Sequence, residues 1–325
     1  MNKIIKLPVE SIEYEFQNLN NNLYKMIAAE NPILYSAAEQ LFKAGGKRIR
    51  PIILLNVAKS TSSNNIISIE QKRLAEITEI IHTASLVHDD IIDNCDTRRG
   101  TNTVHNMFNN KIAVLAGDFL FAQSSWYLAN LNNLEVVKII SKIIIDFAEG
   151  EIKQGNKSFN NNISIEEYIE KSFYKTASLM ACSCKATIAL NCNTMVNQNN
   201  FYLYGKHIGL AFQIIDDILD IISTSKELGK PAGIDLKNGN LTASLIFALN
   251  KKENLYQLID KEFQFEESIN ETITSIKKTN SIQKAKDMAI ENIQLAIHIV
   301  EKENLKNKNK KDLLLLCFYI LNRFS

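Results

Sequence analysis

Proline occurs only four times in 325 residues, at Pro8, Pro32, Pro51 and Pro231. The long tract between Pro51 and Pro231 has none, which removes the commonest breaker of helix interiors. Cysteine is almost as scarce. Cys95, Cys182, Cys184, Cys192 and Cys317 are odd in number and show no paired C-x-x-C spacing. That argues against a cysteine zinc site or a disulfide framework and leaves free thiols in a reducing compartment. Neither sign of charge is in excess: 37 Lys+Arg stand against 36 Asp+Glu, a net +1. A general nucleic-acid binder would carry a basic surplus, so no nucleic-acid partner is expected, although a local basic pocket for phosphate is compatible with that balance. Long hydrophobic runs are missing too. The longest late one, Leu313 to Leu321, falls short of the about 20 residues that cross a bilayer, so no transmembrane segment is expected. The start, MNKIIKLPVESIEYEF, has neither an apolar signal core nor an Arg/Ser-rich transit pattern. The protein is therefore expected to be soluble and to act where it is made.

What is present reads as helix. Hydrophobic residues make up 46% of the chain, ample for a packed core. Apolar spacing of i, i+3, i+4 and i+7 is common and strand-like alternation is rare; Leu74, Ile77, Ile81 and Ala84 form one such stripe. Ser68 with Gln71, and Ser164 with Glu167, have the spacing of capping boxes. Polar breaks fall near Ser60–Asn65, Gly155–Asn162, Asn191–Asn200 and Asn304–Asp312, and none has the composition of a domain linker. The expectation is an all-α fold of roughly ten or more helices in one domain over 1–325, with an N-terminal helix region at 1–30 and the motifs between 45 and 242. Asn, Ile and Lys are abundant and their codons are AT-rich, which suits an organelle or a low-GC bacterium.

One short pattern occurs twice. Leu86-Val-His-Asp-Asp-Ile-Ile-Asp93 and Phe212-Gln-Ile-Ile-Asp-Asp-Ile-Leu-Asp220 each contain D-D-x-x-D. On a helix, residues i and i+4 share a face, so Asp89 points with Asp93 and Asp216 with Asp220. Apolar neighbours imply that both helices are largely buried. Buried carboxylates at that spacing repel one another unless a cation compensates. Oxygen-only ligands suit a hard ion such as Mg²⁺, which binds through one or two carboxylates plus substrate phosphates. A single copy would more often be a solvated helix face. Two copies inside apolar helical patterns point instead to a pair of helices clamping a diphosphate through shared metal ions.

Cationic groups accompany the aspartates. In Gly45-Gly-Lys-Arg-Ile-Arg-Pro51 a glycine pair permits close backbone approach, and Lys47 and Arg50 offer charge and forked donors to a phosphate. Asp96-Thr-Arg-Arg-Gly100 places Arg98 and Arg99 just after the first motif, either as ion-pair partners or as phosphate clamps. Lys175, Thr176, Gln213 and Lys230 add phosphate-compatible groups. His82 precedes Asp89 by two helical turns on nearly the same face, so it is a candidate ligand contact.

Together these segments resemble the trans-type polyprenyl diphosphate synthases. The likeness is carried, in order, by AENPILYSAAEQLFKAGGKRIRP, HTASLVHDDIID, DTRRG, AVLAGDFLFA, EGEIKQ, YKTASL, FQIIDDILD and LGKPAGIDLKNGNLTA. It runs from about Pro32 to the C-terminus, and within the family it is to the solanesyl-type enzymes that make plastoquinone side chains. The resemblance implies a single large helical bundle of the isoprenoid synthase type around a central catalytic cavity. It implies Mg²⁺-dependent condensation of isopentenyl diphosphate onto an allylic diphosphate, with about two to three ions per site. By the same resemblance Lys47, Arg50, His82 and Arg99 would hold isopentenyl diphosphate, and Arg98, Lys175, Thr176, Gln213 and Lys230 the allylic diphosphate. Asp89, Asp90, Asp93, Asp216, Asp217 and Asp220 would carry catalysis, with Asp89, Asp93 and Asp216 binding Mg²⁺. A homodimer, a loose membrane association for product release and an organelle-encoded plastid enzyme are implied too, with a bacterial cytoplasm as the alternative location.

Three rival readings differ at named features. A shorter-chain geranylgeranyl diphosphate synthase would have the same motifs but usually an aromatic floor before the first aspartates, where this chain has Ala84 and Ser85. A terpene cyclase would carry an Asn/Ser/Glu pattern in place of the second D-D-x-x-D. A non-catalytic modulatory subunit would have lost an aspartate motif or the Gly-Gly-Lys-Arg segment. Asn102, Asn109 and Ser244 depart from the family's common Pro, Gly and Pro, which bears on loop shape rather than on chemistry.

Overall fold

A computed structural model of the chain describes residues 6–43, 45–155, 159–191, 196–223, 233–249, 251–252, 254–263 and 265–324. The chain winds through α1 (Glu13–Met26), α2 (Pro32–Lys43), α3 (Ile49–Thr61) and α4 (Ile69–Ile92) before a small hairpin. In that hairpin β1 (Thr97–Arg98) pairs antiparallel with β2 (Thr101–Asn102). A short α5 (Val104–Met107) leads to α6 (Asn110–Ala129) and α7 (Leu134–Gly155). Next come α8 (Ile165–Ser172), a π turn (Phe173–Ala177), α9 (Ser178–Ala189) and α10 (Gln198–Ile222). The remainder is α11 (Ile234–Lys237), α12 (Ala243–Leu249), α13 (Asn254–Asp260), α14 (Glu266–Lys277), α15 (Ser281–Lys302) and α16 (Asn307–Leu321). The all-α expectation is met.

Local chemistry starts the helices where the sequence places them. Ser68 Oγ accepts from the Gln71 N–H at 3.1 Å, and the Gln71 side chain accepts from the Ser68 N–H at 3.1 Å, opening α4. Ser164 and Glu167 do the same for α8. Asn109, at a position where the family commonly has Gly, adopts φ +152° and caps α6 through Oδ1 to the Ile112 N–H at 2.9 Å. Ser244 is buried, and among the described residues its Oγ has no hydrogen-bond partner. One polar break is narrower than its sequence suggests: Asn307–Asp312 begins α16 rather than continuing a loop. The reason is tertiary. Asn309 is buried against the end of α3 and donates to Asn65 Oδ1 at 2.7 Å. Cys95, Cys182, Cys184 and Cys317 are free thiols, and Cys192 lies outside the described residues.

The two aspartate helices are the central ones. Helix α4 packs against α3, α6 and α9, and α10 against α9, α15 and α16. The stripe Leu74, Ile77, Ile81 and Ala84 is buried along α4. Helix α10 approaches its neighbour so closely that a Cβ on Gly205 would lie 2.5 Å from the Met180 carbonyl oxygen, and one on Gly209 would lie 2.6 Å from Ala177 Cα. Those two glycines seat α10 against the π turn and α9. One continuous core, from Ile12 to Ile320, joins these elements. By length and composition α6 could cross a membrane, yet 33% of that stretch is buried here, mainly against α4. Its other face leaves Val114, Leu115 and Trp126 exposed.

Candidate active site

Both aspartate motifs end their helices. Asp89, Asp90 and Asp93 close α4, and Asp216, Asp217 and Asp220 lie in the last two turns of α10. The C-terminus of a helix is its negative end, where cations are favoured and carboxylates are not. Six carboxylates at two such ends break a local rule, which is where functional sites are found. Asp90 and Asp220 are each only 2% exposed.

Burial governs the first cluster. It raises the Asp89 carboxyl from 3.8 to about 7, and the carboxylates of Glu151 and Asp93 push the same way against Lys175. Asp93 is raised for the same leading reason. Lys175 faces this cluster from the π turn and is 3.3 Å from Glu151 Oε1. Burial pulls its amine down, but Asp89, Glu151 and Asp93 outweigh it and leave the ammonium firmly protonated. A π turn widens the helix locally and is common at functional sites; here it re-aims Lys175 and Thr176. Arg98 forks onto Asp90, with Nε to Oδ1 at 2.8 Å and Nη2 to Oδ1 at 2.6 Å. This ion pair gives the buried Asp90 its partner.

The second cluster is threaded by a chain of hydrogen bonds. Thr176 Oγ1 donates to Gln213 Oε1 at 2.6 Å, and Gln213 Nε2 donates to Asp217 Oδ1 at 2.6 Å. Tyr168 O–H donates to the other Asp217 oxygen at 2.6 Å. Burial, then Asp235, raises Asp217 to about 7. Asp235 also tucks its N–H onto Asp220 Oδ2 at 3.3 Å. Asp216 is more open, its side chain 38% exposed, and it accepts from Arg323, whose guanidinium stacks 4.2 Å from the Phe212 ring centroid.

Arginines gather at a third corner. Arg48 enters α3 in the left-handed region with φ +49°, and its Nη1 donates to Glu79 Oε1 at 2.7 Å in a buried pair. Arg99 and Gly100 form the hairpin turn with φ +53° and +75°, as a two-residue turn of this hand requires. The turn carries Arg99 onto the Gly45 carbonyl. Gly46 must be glycine for this: its φ is +148°, and a Cβ there would lie 2.5 Å from Arg99 Nη1. Arg50 donates from Nη1 to His82 Nε2 at 2.9 Å. Guanidinium has no acceptor, so His82 Nε2 is the acceptor and its proton sits on Nδ1. Burial, then Arg50 and its neighbours, lower His82 well below its ordinary range and keep it neutral. Glu79 faces this group; its field acts on Arg50 and Arg99 as well as pairing Arg48, and Asp216 also attracts Arg50. Lys47 lies apart, with Nζ 6.0 Å from the Tyr319 ring centroid. Lys230 lies outside the described residues.

Sequence reasoning passed over Arg48, Glu79, Glu151, Tyr168, Lys171, Asp235 and Arg323. Glu79 had a usable signal, since it stands three residues before His82 on the helix of the first motif. Arg48 is joined to Glu79, and the others to the aspartates or to Lys175, by tertiary contacts that no local spacing encodes.

A family model described as Polyprenyl synthetase matches residues 31–276. The chain belongs to the polyprenyl synthetase family. Prenyltransferase activity follows from that membership. A "Prenyl transferase" of Porphyra purpurea is 60% identical over 286 residues, 88% of either chain. "Solanesyl diphosphate synthase 1, chloroplastic" of Arabidopsis thaliana is 49% identical over 291 residues, covering 89% of this chain and 72% of that protein. A solved polyprenyl synthase from Caulobacter crescentus CB15, complexed with calcium and isoprenyl diphosphate, superposes with TM-score 0.92 at 27% identity over 100% of both chains.

The residues present fit a hard dication of the kind this family uses. Among the described residues no three carboxylate, histidine or cysteine side chains close into a metal cage. What the site offers is carboxylates at helix ends, made costly by burial, beside firmly protonated cations. Mg²⁺ suits such a set because it binds one or two carboxylates and completes its shell with water and phosphate oxygens.

Proposed function

We propose that the chain is a long-chain trans-prenyl diphosphate synthase that adds isopentenyl diphosphate head to tail onto an allylic diphosphate. The carrying observation is the juxtaposition of Lys175 with Asp89, Asp93 and Glu151: a half-buried ammonium among carboxylates that burial makes costly. Such a set favours an anion bridged by dications. Asp89, Asp93 and Asp216 would hold about two to three Mg²⁺ ions, whose contribution is Lewis-acid neutralisation of the departing diphosphate. Lys175 and Lys230 would bind the allylic diphosphate and stabilise its charge as the allylic C–O bond breaks. Arg98 would hold Asp90 in register, and the Thr176–Gln213–Asp217 chain would fix the second aspartate turn. Lys47, Arg50, Arg99 and neutral His82 would orient isopentenyl diphosphate so that its double bond attacks the allylic cation. The proton then lost goes to the released diphosphate.

The occupants of the arginine corner can be separated by kinetics. Arg99→Ala should raise the Michaelis constant for isopentenyl diphosphate, and Lys175→Ala that for the allylic partner. Glu79→Gln removes the carboxylate that holds Arg48 in place and should loosen the arginine corner, raising the isopentenyl constant by up to about tenfold through lost positioning with little change in kcat. Two-substrate kinetics check this; equal shifts of both constants in all three variants would contradict the two-site assignment.

Several finer features are part of the proposal. The chain acts as one domain over 1–325. It forms a homodimer through apolar surface such as that of α6, and it meets the membrane loosely for product release. The chloroplastic and algal relatives favour an organelle-encoded plastid enzyme serving the plastoquinone side chain, over a bacterial cytoplasmic one. Incubating purified chain with isopentenyl diphosphate, several allylic primers and Mg²⁺, then sizing the dephosphorylated products, tests the reading. A ladder ending near about eight to ten isoprene units is expected, since only close-packed side chains stop the tail. An end at geranylgeranyl length would establish the shorter-chain alternative, and no elongation without a second protein would establish the modulatory subunit.

A further inference from the structure

Lys171 is the last lysine of α8, one turn before Lys175, and neither the aspartate motifs nor the arginine corner includes it. Its neighbour Lys153 behaves as a surface lysine, pairing with Glu170 at 2.7 Å with both side chains well exposed. Lys171 turns the other way. Its Nζ donates to the side-chain oxygen of Asn240 at 2.8 Å and lies 5.7 Å from the centroid of the Tyr168 ring. That ring's hydroxyl holds Asp217. Among the described residues no carboxylate forms an ion pair with Lys171, although Asp217 and Asp235 attract it and Lys175 repels it. Lys171, Asn240 and Gln154 line one small cleft with Lys153, Glu167 and Glu170; Glu167 is engaged in the Ser164 cap and Glu170 pairs with Lys153, and Gln154 also accepts from Lys175 at 3.3 Å. Two inward-facing ammonium groups that repel each other, one of them without a carboxylate partner, form a seat for an anion.

We propose that Lys171 is a further substrate-binding residue, which with Lys175 contacts the diphosphate of the allylic substrate, its amine resting on Asn240 until the phosphate oxygens take that place. This rests on the synthase reading above. The competing role is purely structural: Lys171 as a tether for the 239–241 loop through Asn240. The two roles separate on paired substitutions. Lys171→Met removes both the charge and the tether. Asn240→Ala removes the tether and leaves the charge. Binding of inorganic pyrophosphate in the presence of Mg²⁺ is measured by titration calorimetry, alongside both Michaelis constants. Lys171→Met should weaken pyrophosphate binding about tenfold, the worth of one charge-assisted bond, and raise the allylic constant similarly. Lys171→Arg and Asn240→Ala should stay within about threefold of wild type, and the isopentenyl constant should not move in any of them. Equal losses in Lys171→Met and Asn240→Ala, or unchanged pyrophosphate affinity in Lys171→Met, would overturn the proposal. If Lys171→Met does not fold, Lys171→Gln takes its place with the same expectations. A wild type that fails to elongate any primer would refute the synthase reading itself, which is a different result from an elongating enzyme indifferent to Lys171.

Discussion

Replacing Asp89 or Asp216 with alanine should lower turnover by at least about a thousandfold, about 4 kcal/mol of barrier, while leaving the helical fold in place. Asp89 ends its helix beside other carboxylates, so its loss removes a charge that the fold itself disfavours, and Asp216 is exposed enough that its loss frees Arg323 to water. The folding control has a definite sign. Asp89 and Asp217 are raised from 3.8 to about 7 chiefly by burial. The folded chain therefore keeps protons that the unfolded chain releases above about pH 4. The stability from that retention is full below about pH 4 and is lost as pH rises through about 7, where the buried charges must form. Metal-free wild type should melt at a lower temperature near pH 8 than near pH 5, and Asp89→Ala should narrow the difference. Thermal melts with chelator, and turnover with added Mg²⁺, measure both effects. Near wild-type turnover in either variant, or in excess chelator, would remove the dication clamp from the mechanism.

Product length should respond strongly to Ser85. It lies four residues, roughly 6 Å, before Asp89 along α4, deeper in the bundle than that proposed metal ligand. The hydrocarbon tail extends away from the diphosphate and should pass this point. Ser85 keeps partial exposure and bonds its Oγ to the His82 carbonyl at 2.9 Å, whereas Ala84 is 0% exposed and fully packed. The sequence treats the two small residues alike, and the structure separates them. Ser85→Phe should truncate the product to about three to five units while the first condensations continue, because a packed interior cannot expand around the added ring. Ala84→Phe should cost stability first, about 1–3 kcal/mol, through overpacking. Chromatography of dephosphorylated products from folded Ser85→Phe decides the matter, and an unchanged ladder would rule out a tail path past Ser85.

The sequence by itself determined the helices and the pairing of carboxylates on them. A proline-free tract, 3.6-residue periodicity and two capping boxes are local signals, and α4, α8 and α10 follow them. The i, i+4 spacing of Asp89 with Asp93 and of Asp216 with Asp220 is equally local. Tertiary structure alone decided which charge meets which. Arg98 takes Asp90, Glu79 faces the arginine corner, and Arg323 reaches Asp216 from more than a hundred residues away. It also decided that Phe173–Ala177 widens into a π turn that aims Lys175 and Thr176, and that Asn309 is buried and begins a helix rather than a loop. The physical reason is range. Helix periodicity and capping are settled within a few residues of chain. The choice among competing ion pairs is settled by burial, which sets the cost of leaving any one charge unpaired and exists only once the helices have packed.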